Sequence, residues 1–133
     1  MTFEELNKYY EDMEKYTINY IKDKKNIAAQ HNHAKEGLYA PSTDDFLHLI
    51  QNDYLDYSIC ISSKEIWIIE HKSNYTLSKN RLIENEIFPI ENKAKQMNDS
   101  HSLDEINEWY GNQIEEVINN RLNNILNVYR VIL

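Results

Sequence analysis

Two short apolar runs rich in β-branched residues, Tyr57-Ser-Ile-Cys-Ile-Ser62 and Ile66-Trp-Ile-Ile-Glu-His-Lys72, are separated only by Ser63-Lys-Glu65. Isoleucine and aromatic side chains at this density favour extended backbone, and so short a gap leaves room only for a tight turn. The pair therefore reads as a β-hairpin. Its register decides what its ends can do. A two-residue loop pairs Asp56 with His71 and puts Asp56 and Glu70 on opposite faces. A three-residue loop, Ser63 to Glu65, pairs Asp56 with Lys72 and gathers Asp56, Glu70 and Lys72 on one face. No glycine marks the turn, so both registers stay open at this level.

Around the hairpin the pattern is helical. Thr2-Phe-Glu-Glu5 is a capping box, and Phe3, Leu6, Tyr10, Met13, Thr17 and Tyr20 follow at alternating three- and four-residue spacing, which predicts a first helix from about Phe3 to Asp23. The polar stretch Asn26 to Ser42, with Gly37 and Pro41, reads as a loop holding a short strand near Leu38. Ser42-Thr-Asp-Asp45 caps a short helix through Phe46, Leu47, Leu49 and Ile50. After Tyr75 a helical stretch, Leu77 to Met97, is interrupted by Pro89. Ser102-Leu-Asp-Glu105 is a further capping box, from which Leu103, Ile106, Tyr110, Ile114, Val117, Ile118, Leu122 and Ile125 run at helical period. Val128 to Leu133 is β-branched and apolar enough for a terminal strand, with a helix tail as the alternative. The expected fold is a single α+β domain with an N-terminal helix, a small mixed sheet centred on the hairpin, and long C-terminal helices.

The one cysteine, Cys60, sits inside an apolar run without an intrachain partner, which points to a reducing compartment. Met1 to Asn7 carry two glutamates and no apolar h-region, and no run approaches the roughly 20 apolar residues of a membrane span. A cytoplasmic protein with no membrane partner is expected. Net charge is −8, distributed unevenly. Glu36, Asp44, Asp45, Asp53 and Asp56 lie between Lys35 and Lys64 with no Lys or Arg among them, and Asp99, Asp104, Glu105, Glu108, Glu115 and Glu116 lie likewise between Lys95 and Arg121. From Lys64 to Lys95, bases outnumber acids by six to five, so this segment is the least repellent to a polyanion.

Asp56, fourteen residues before Glu70, together with Ile66-Trp-Ile-Ile-Glu70-His-Lys72-Ser, resembles the PD-(D/E)xK nuclease superfamily, which includes Holliday-junction resolvases, nuclease-related domains and nuclease segments of restriction enzymes. The resemblance covers Asp56 to Ser73. It implies that Asp56 and Glu70 bind Mg²⁺ or Mn²⁺, with the His71 carbonyl as an extra ligand, and that Lys72 positions or deprotonates the attacking water. Such ions, about 3.5–4 Å apart when paired, orient the water and neutralise charge on the scissile phosphate. A further acid on the first helix is implied, for which Glu4, Glu5 and Glu11 are candidates. Lys64, Lys79, Arg81, Lys93 and Lys95 would contact the nucleic acid, DNA in preference to RNA. Cutting both strands would need a homodimer, with Trp109 and Tyr110 on the contact face, or two successive events. The chain departs from the family pattern at Leu55, which stands where a proline usually precedes the first acid, at His71, and in its acidic charge.

Other motifs carry less chemistry. His31-Asn-His33 has metal-ligand residue types, but no further His or Cys completes a separate site, and a solvated polar loop is the plainer reading. His48 and His101 have no catalytic partner. No Gly-rich phosphate loop, Gly-x-Ser-x-Gly or Cys-x-x-Cys is present. Tyr9, Tyr10, Tyr16 and Tyr20 suit packing better than base stacking. The competing functional class is a non-catalytic acidic binding protein, such as an immunity protein or a phage anti-defence or anti-CRISPR-type inhibitor, whose acidic windows block a basic nucleic-acid-binding partner. Asn and Ile occur 17 times each against five Ala, a bias expected of an A/T-rich coding sequence such as that of low-GC bacteria, their phages or some viruses, which suits this class. The two classes differ in geometry. A nuclease needs Asp56, Glu70 and Lys72 convergent beside the basic residues, and an inhibitor needs a continuous acidic face.

Overall fold

The computed structural model describes residues 28–32, 37–52, 55–72 and 76–133, with Glu4, Lys8, Glu11 and Asp12 described individually. Those four are helical and exposed, and the rest of the expected first helix lies outside the described residues. In chain order the elements are strand β1 (Ala28–Asn32), helix α1 (Thr43–Gln51), strands β2 (Tyr57–Ile61) and β3 (Glu65–His71), and helices α2 (Leu77–Glu86) and α3 (Phe88–Gln96). A 3₁₀ turn (Met97–Asp99), helix α4 (Leu103–Arg121) and strand β4 (Leu126–Ile132) complete the chain. The fold class is α+β, as expected.

The helices begin where their caps dictate. At Ser42 and at Ser102 the serine side chain accepts from the backbone N–H three residues on, while Asp45 and Glu105 reach back to the serine N–H. Pro89 lies in the first turn of α3 and separates it from α2 at Ile87, because proline has no N–H to continue the earlier helix. α4 ends at Arg121, earlier than the apolar spacing through Ile125 suggests. Leu122 and Ile125 are buried in the turn that delivers the chain into β4.

The sheet has the order β1-β2-β3-β4, with β1 parallel to β2 and the other pairs antiparallel. β1 corrects the expectation of a loop over this stretch, and Leu38 lies in irregular backbone after it. Ala-Ala-Gln-His-Asn carries no strand pattern of its own. It is extended because its backbone completes a ladder with β2, with Gln30 beside Ile59 and His31 beside Cys60. His31 is thus strand backbone and not loop, while His33 lies outside the described residues.

One face of the sheet carries Cys60, Trp67, Ile69 and Leu126, which pack against Phe46 and Ile50 of α1, Ile83 of α2 and Ile106, Tyr110, Ile114 and Ile118 of α4. The opposite face gathers Tyr57, Ile59, Ile61, Ile66 and Ile68 into a second buried cluster, with Val131 against it. Each fully buried Ile contributes about 1.5–3 kcal/mol, so both faces hold the sheet. The stretch before α1 is stitched down by buried side chains of α3 and α4. Asn107 Oδ1 accepts from Tyr39 N at 2.8 Å, the Tyr110 hydroxyl donates to Pro41 O at 2.6 Å, and Glu91 Oε1 accepts from Thr43 N at 3.0 Å. Tyr110, expected on an exposed contact face, is fully buried, and its burial raises the phenol pKa.

Candidate functional site

The hairpin adopts the two-residue loop. Tyr57 pairs with Glu70, Ile61 with Ile66, and the ladder continues outward with His71 N donating to Asp56 O at 2.8 Å. Side chains directly opposite share a face and neighbours along a strand alternate, so Asp56 stands on the helix-packed side with His71, and Glu70 stands on the other. This corrects the register that the nuclease reading needs. The physical reason lies in the turn and in Glu70 itself. Ser62 Oγ accepts from Glu65 N at 3.0 Å and donates to Glu65 O at 3.0 Å, clamping a loop of only Ser63 and Lys64. Glu70 Oε2 accepts from the Tyr57 hydroxyl at 2.9 Å and Oε1 from Asn127 Nδ2 at 2.8 Å.

Lys72 and His71 also take structural partners. Lys72 Nζ donates to Asn123 O at 2.7 Å, which ties the end of the hairpin to the turn after α4. Lys79, buried on the same side of α2 as Ile83, brings Nζ within 3.3 Å of His71 Nε2. An ammonium can only donate, so Nε2 is the acceptor there. The residues implied as metal ligands do not fit one ion: Asp56 and Glu70 face opposite ways, and both Glu70 oxygens are engaged. Among the described residues, no group of three or more His, Cys, Asp or Glu side chains is placed to hold a metal ion. Glu4 and Glu11 are exposed, and Glu5 lies outside the described residues.

The expected nucleic-acid contacts are likewise dispersed. Lys64 is exposed at the turn, and Lys79 is buried at the far end of β3, roughly 20 Å away at the rise of an extended strand. Arg81 is exposed on α2, Lys93 Nζ lies 5.2 Å from the centroid of the Trp109 ring, and Lys95 Nζ lies 3.7 Å from Glu91 Oε2.

What the structure does bring together is an acidic helix flank. Asp99, Asp104, Glu105, Glu108 and Glu116 are all exposed on the 3₁₀ turn and the outer side of α4, whose inner side is buried through Ile106, Tyr110, Ile114, Val117 and Ile118. An open notch of about 390 Å³ lies along this flank, lined by Met97, His101, Glu105, Glu108, Trp109 and Asn112. Further along, a groove of about 330 Å³ between α4 and the α2–α3 junction is lined in part by Glu86, Pro89, Gln113 and Glu116. Backbone and hydroxyl hydrogen bonds from Ser102, helped by nearby His101, hold the Glu105 carboxyl below its ordinary range, so it stays ionised.

A buried polar cluster escaped the sequence reading. Arg130 bonds Glu65 through Nε at 3.1 Å and through Nη2, reaches Glu115 Oε1 at 2.7 Å and Asn112 Oδ1 at 3.0 Å, and stacks 4.9 Å from the Trp67 ring centroid. Trp67 Nε1 donates to Glu65 Oε2 at 2.7 Å. Burial opposes the guanidinium charge, but the carboxylates of Glu65 and Glu115 outweigh it and raise the Arg130 pKa. The available signal was a lone arginine inside a β-branched strand, a position that demands a carboxylate partner. Gly111 admits this side chain: a Cβ there would lie 2.6 Å from Arg130 Nη2.

No protein-family model matches the chain, and neither a curated protein nor a solved structure is found to be similar to it. No helix among the described residues is long and apolar enough to cross a membrane.

Proposed function

We propose that this chain is a non-catalytic acidic binding protein, an inhibitor of the immunity-protein or phage anti-defence type, that covers a basic nucleic-acid-binding surface on a partner protein. The observation that carries this reading is the exposed acidic flank of α4, which has no Lys or Arg between Lys95 and Arg121 to interrupt it. A single-signed helix face of this kind steers a basic partner and sets its orientation, with affinity that falls as salt rises. Hydrolysis through Asp56, Glu70 and Lys72 needs those groups on one side of the sheet, and the hairpin register separates them.

The test uses protamine as an arginine-rich probe and a labelled DNA duplex as its competitor. Wild-type protein should displace the duplex from protamine. A variant carrying Asp104→Asn, Glu105→Gln, Glu108→Gln and Glu116→Gln should lose that ability. An isocharged control with Glu4→Gln, Glu11→Gln, Asp44→Asn and Glu84→Gln, all exposed and none on α4, should retain it. Equal loss in both variants would reduce the effect to net charge and sink the reading. Cleavage of plasmid, single-stranded DNA or RNA with Mg²⁺ or Mn²⁺, abolished by Glu70→Gln and by EDTA, would restore the nuclease in its place.

A further inference from the structure

We propose that the notch between the end of α3 and the first half of α4 receives one arginine side chain of the partner, its guanidinium lying against the Trp109 ring and between the Glu105 and Glu108 carboxylates. This rests on the reading of the chain as an acidic binder and names the contact at its centre.

The placement follows from helix periodicity. Glu105, Glu108, Trp109 and Asn112 stand at i, i+3, i+4 and i+7, which puts them on one side of α4, with neighbouring side chains about 5–6 Å apart at Cβ. Together with Met97 and His101 they line a recess of about 390 Å³, large enough for a side chain and too open for an enclosed metabolite. The Trp109 ring is half-buried, packed against the core on one side, so it offers a fixed aromatic surface and not a mobile one.

That surface already attracts a cation: Lys93 Nζ lies 5.2 Å from its centroid. Along α4 itself the nearest basic residue is Arg121, which bonds Glu86 at 3.0 Å, and Arg130, which reaches Asn112, is held by Glu65 and Glu115. Glu108 makes no ion pair among the described residues, and Glu105 is held in its ionised form by its bonds to Ser102. A planar guanidinium satisfies both requirements at once, stacking on indole while its edge bonds carboxylate, which a lysine ammonium cannot do. In this arrangement Lys93 is a resident competitor for the ring.

The experiment titrates the 133-residue chain with an eight-residue Arg-Gly repeat peptide, with lysine and citrulline versions as controls. Tryptophan fluorescence and calorimetry are the readouts. The other tryptophan, Trp67, is fully buried, and a Trp109→Phe variant shows how much of the fluorescence change belongs to Trp109. The arginine peptide should bind best and change the fluorescence. Glu108→Gln, at an exposed position that leaves folding intact, should weaken it about tenfold, the scale of one charge-assisted bond. Lys93→Gln should strengthen it about threefold by freeing the ring. Glu116→Gln, two turns along the acidic flank, should weaken it only about twofold, the share of one screened exposed charge outside the notch. If Glu108→Gln and Glu116→Gln weaken binding equally and Lys93→Gln has no effect beyond its charge, the notch is overturned while the acidic flank stands. If no variant binds the peptide at any salt, both readings fall.

Discussion

Replacing Arg130 by methionine isolates the energetics of the buried cluster. Glu65 is 6% exposed and accepts from Arg130 Nε and Nη2 and from Trp67 Nε1. Without the guanidinium, the carboxylate keeps one neutral donor and no counter-charge. Stranding one member of a buried ion pair typically costs about 3–5 kcal/mol. Loss of the contact with Trp67 adds about 0.5–1 kcal/mol, and the methionine stem returns a similar amount through packing. Arg130→Met should therefore lower stability by about 3 kcal/mol, a large share of the 5–15 kcal/mol typical of a domain.

The assay is urea unfolding followed by far-ultraviolet circular dichroism at neutral pH. Glu65→Gln is the informative comparison, because it removes the stranded charge yet keeps an acceptor for Trp67 Nε1. Alone it should cost less than Arg130→Met, since Arg130 retains Glu115 and Asn112. Combined with Arg130→Met it should relieve part of that loss, a coupling that a double-mutant cycle measures directly. A loss below about 1 kcal/mol for Arg130→Met, or two substitutions that simply add, would refute the account of Glu65 as a buried charge dependent on one partner.

Three further outcomes follow from the same contacts. Gly111→Ala raises helix propensity by about 1 kcal/mol, but its Cβ meets the pinned Arg130 guanidinium at 2.6 Å. It should destabilise the wild type and stabilise the Arg130→Met background, and the same sign in both would count against the clamp. The Glu105 carboxyl is held below its ordinary range, so the capping-box stability is present above the unfolded carboxylate pKa and is lost as pH falls through the lowered folded value. Side-chain NMR titration should show that low value, and Ser102→Ala should return it toward normal. Burial, with a smaller push from Asp45, raises the Cys60 thiol well above its usual value, so its contribution is intact below the ordinary thiol pKa and is lost as pH rises past it. Native protein should resist a thiol-specific disulfide reagent until urea unfolds it, and labelling at the rate of the unfolded chain would contradict the buried thiol.

Local signals located most of the described elements. The two serine capping boxes and Pro89 are short-range chemistry, and α1, α3 and α4 begin where those residues place them. β1 was illegible because Ala28–Asn32 is a strand through its partner and not through its own side-chain pattern. Tyr110 keeps the same helical spacing whether it faces solvent or core, and only the carbonyl of Pro41, brought in by a distant segment, shows that it is inside. The Arg130 cluster joins residues from β3, α4 and β4, so no window of sequence contains it. The acidic flank of α4 was visible as a charge count, but its exposure and the Trp109 recess beside it required the packing of α3.

The hairpin shows why a motif can be present in sequence while its residues stay apart. Both faces of β2 and β3 are buried and apolar, so a one-residue slip exchanges one apolar set for another and hydrophobic pattern alone does not choose between registers. Polar side chains choose. In the observed register Glu70 lies between Tyr57 on β2 and Asn127 on β4, its direct partners on both sides, and it bonds to each. In the slipped register Glu70 would face Ser58, and Tyr57 would face His71. The Ser62 clamp, which sets the loop at Ser63 and Lys64, would also have to open. The carboxylate that the nuclease motif needs as a metal ligand is thus the one whose own hydrogen bonds favour the register that keeps Asp56 on the other side of the sheet.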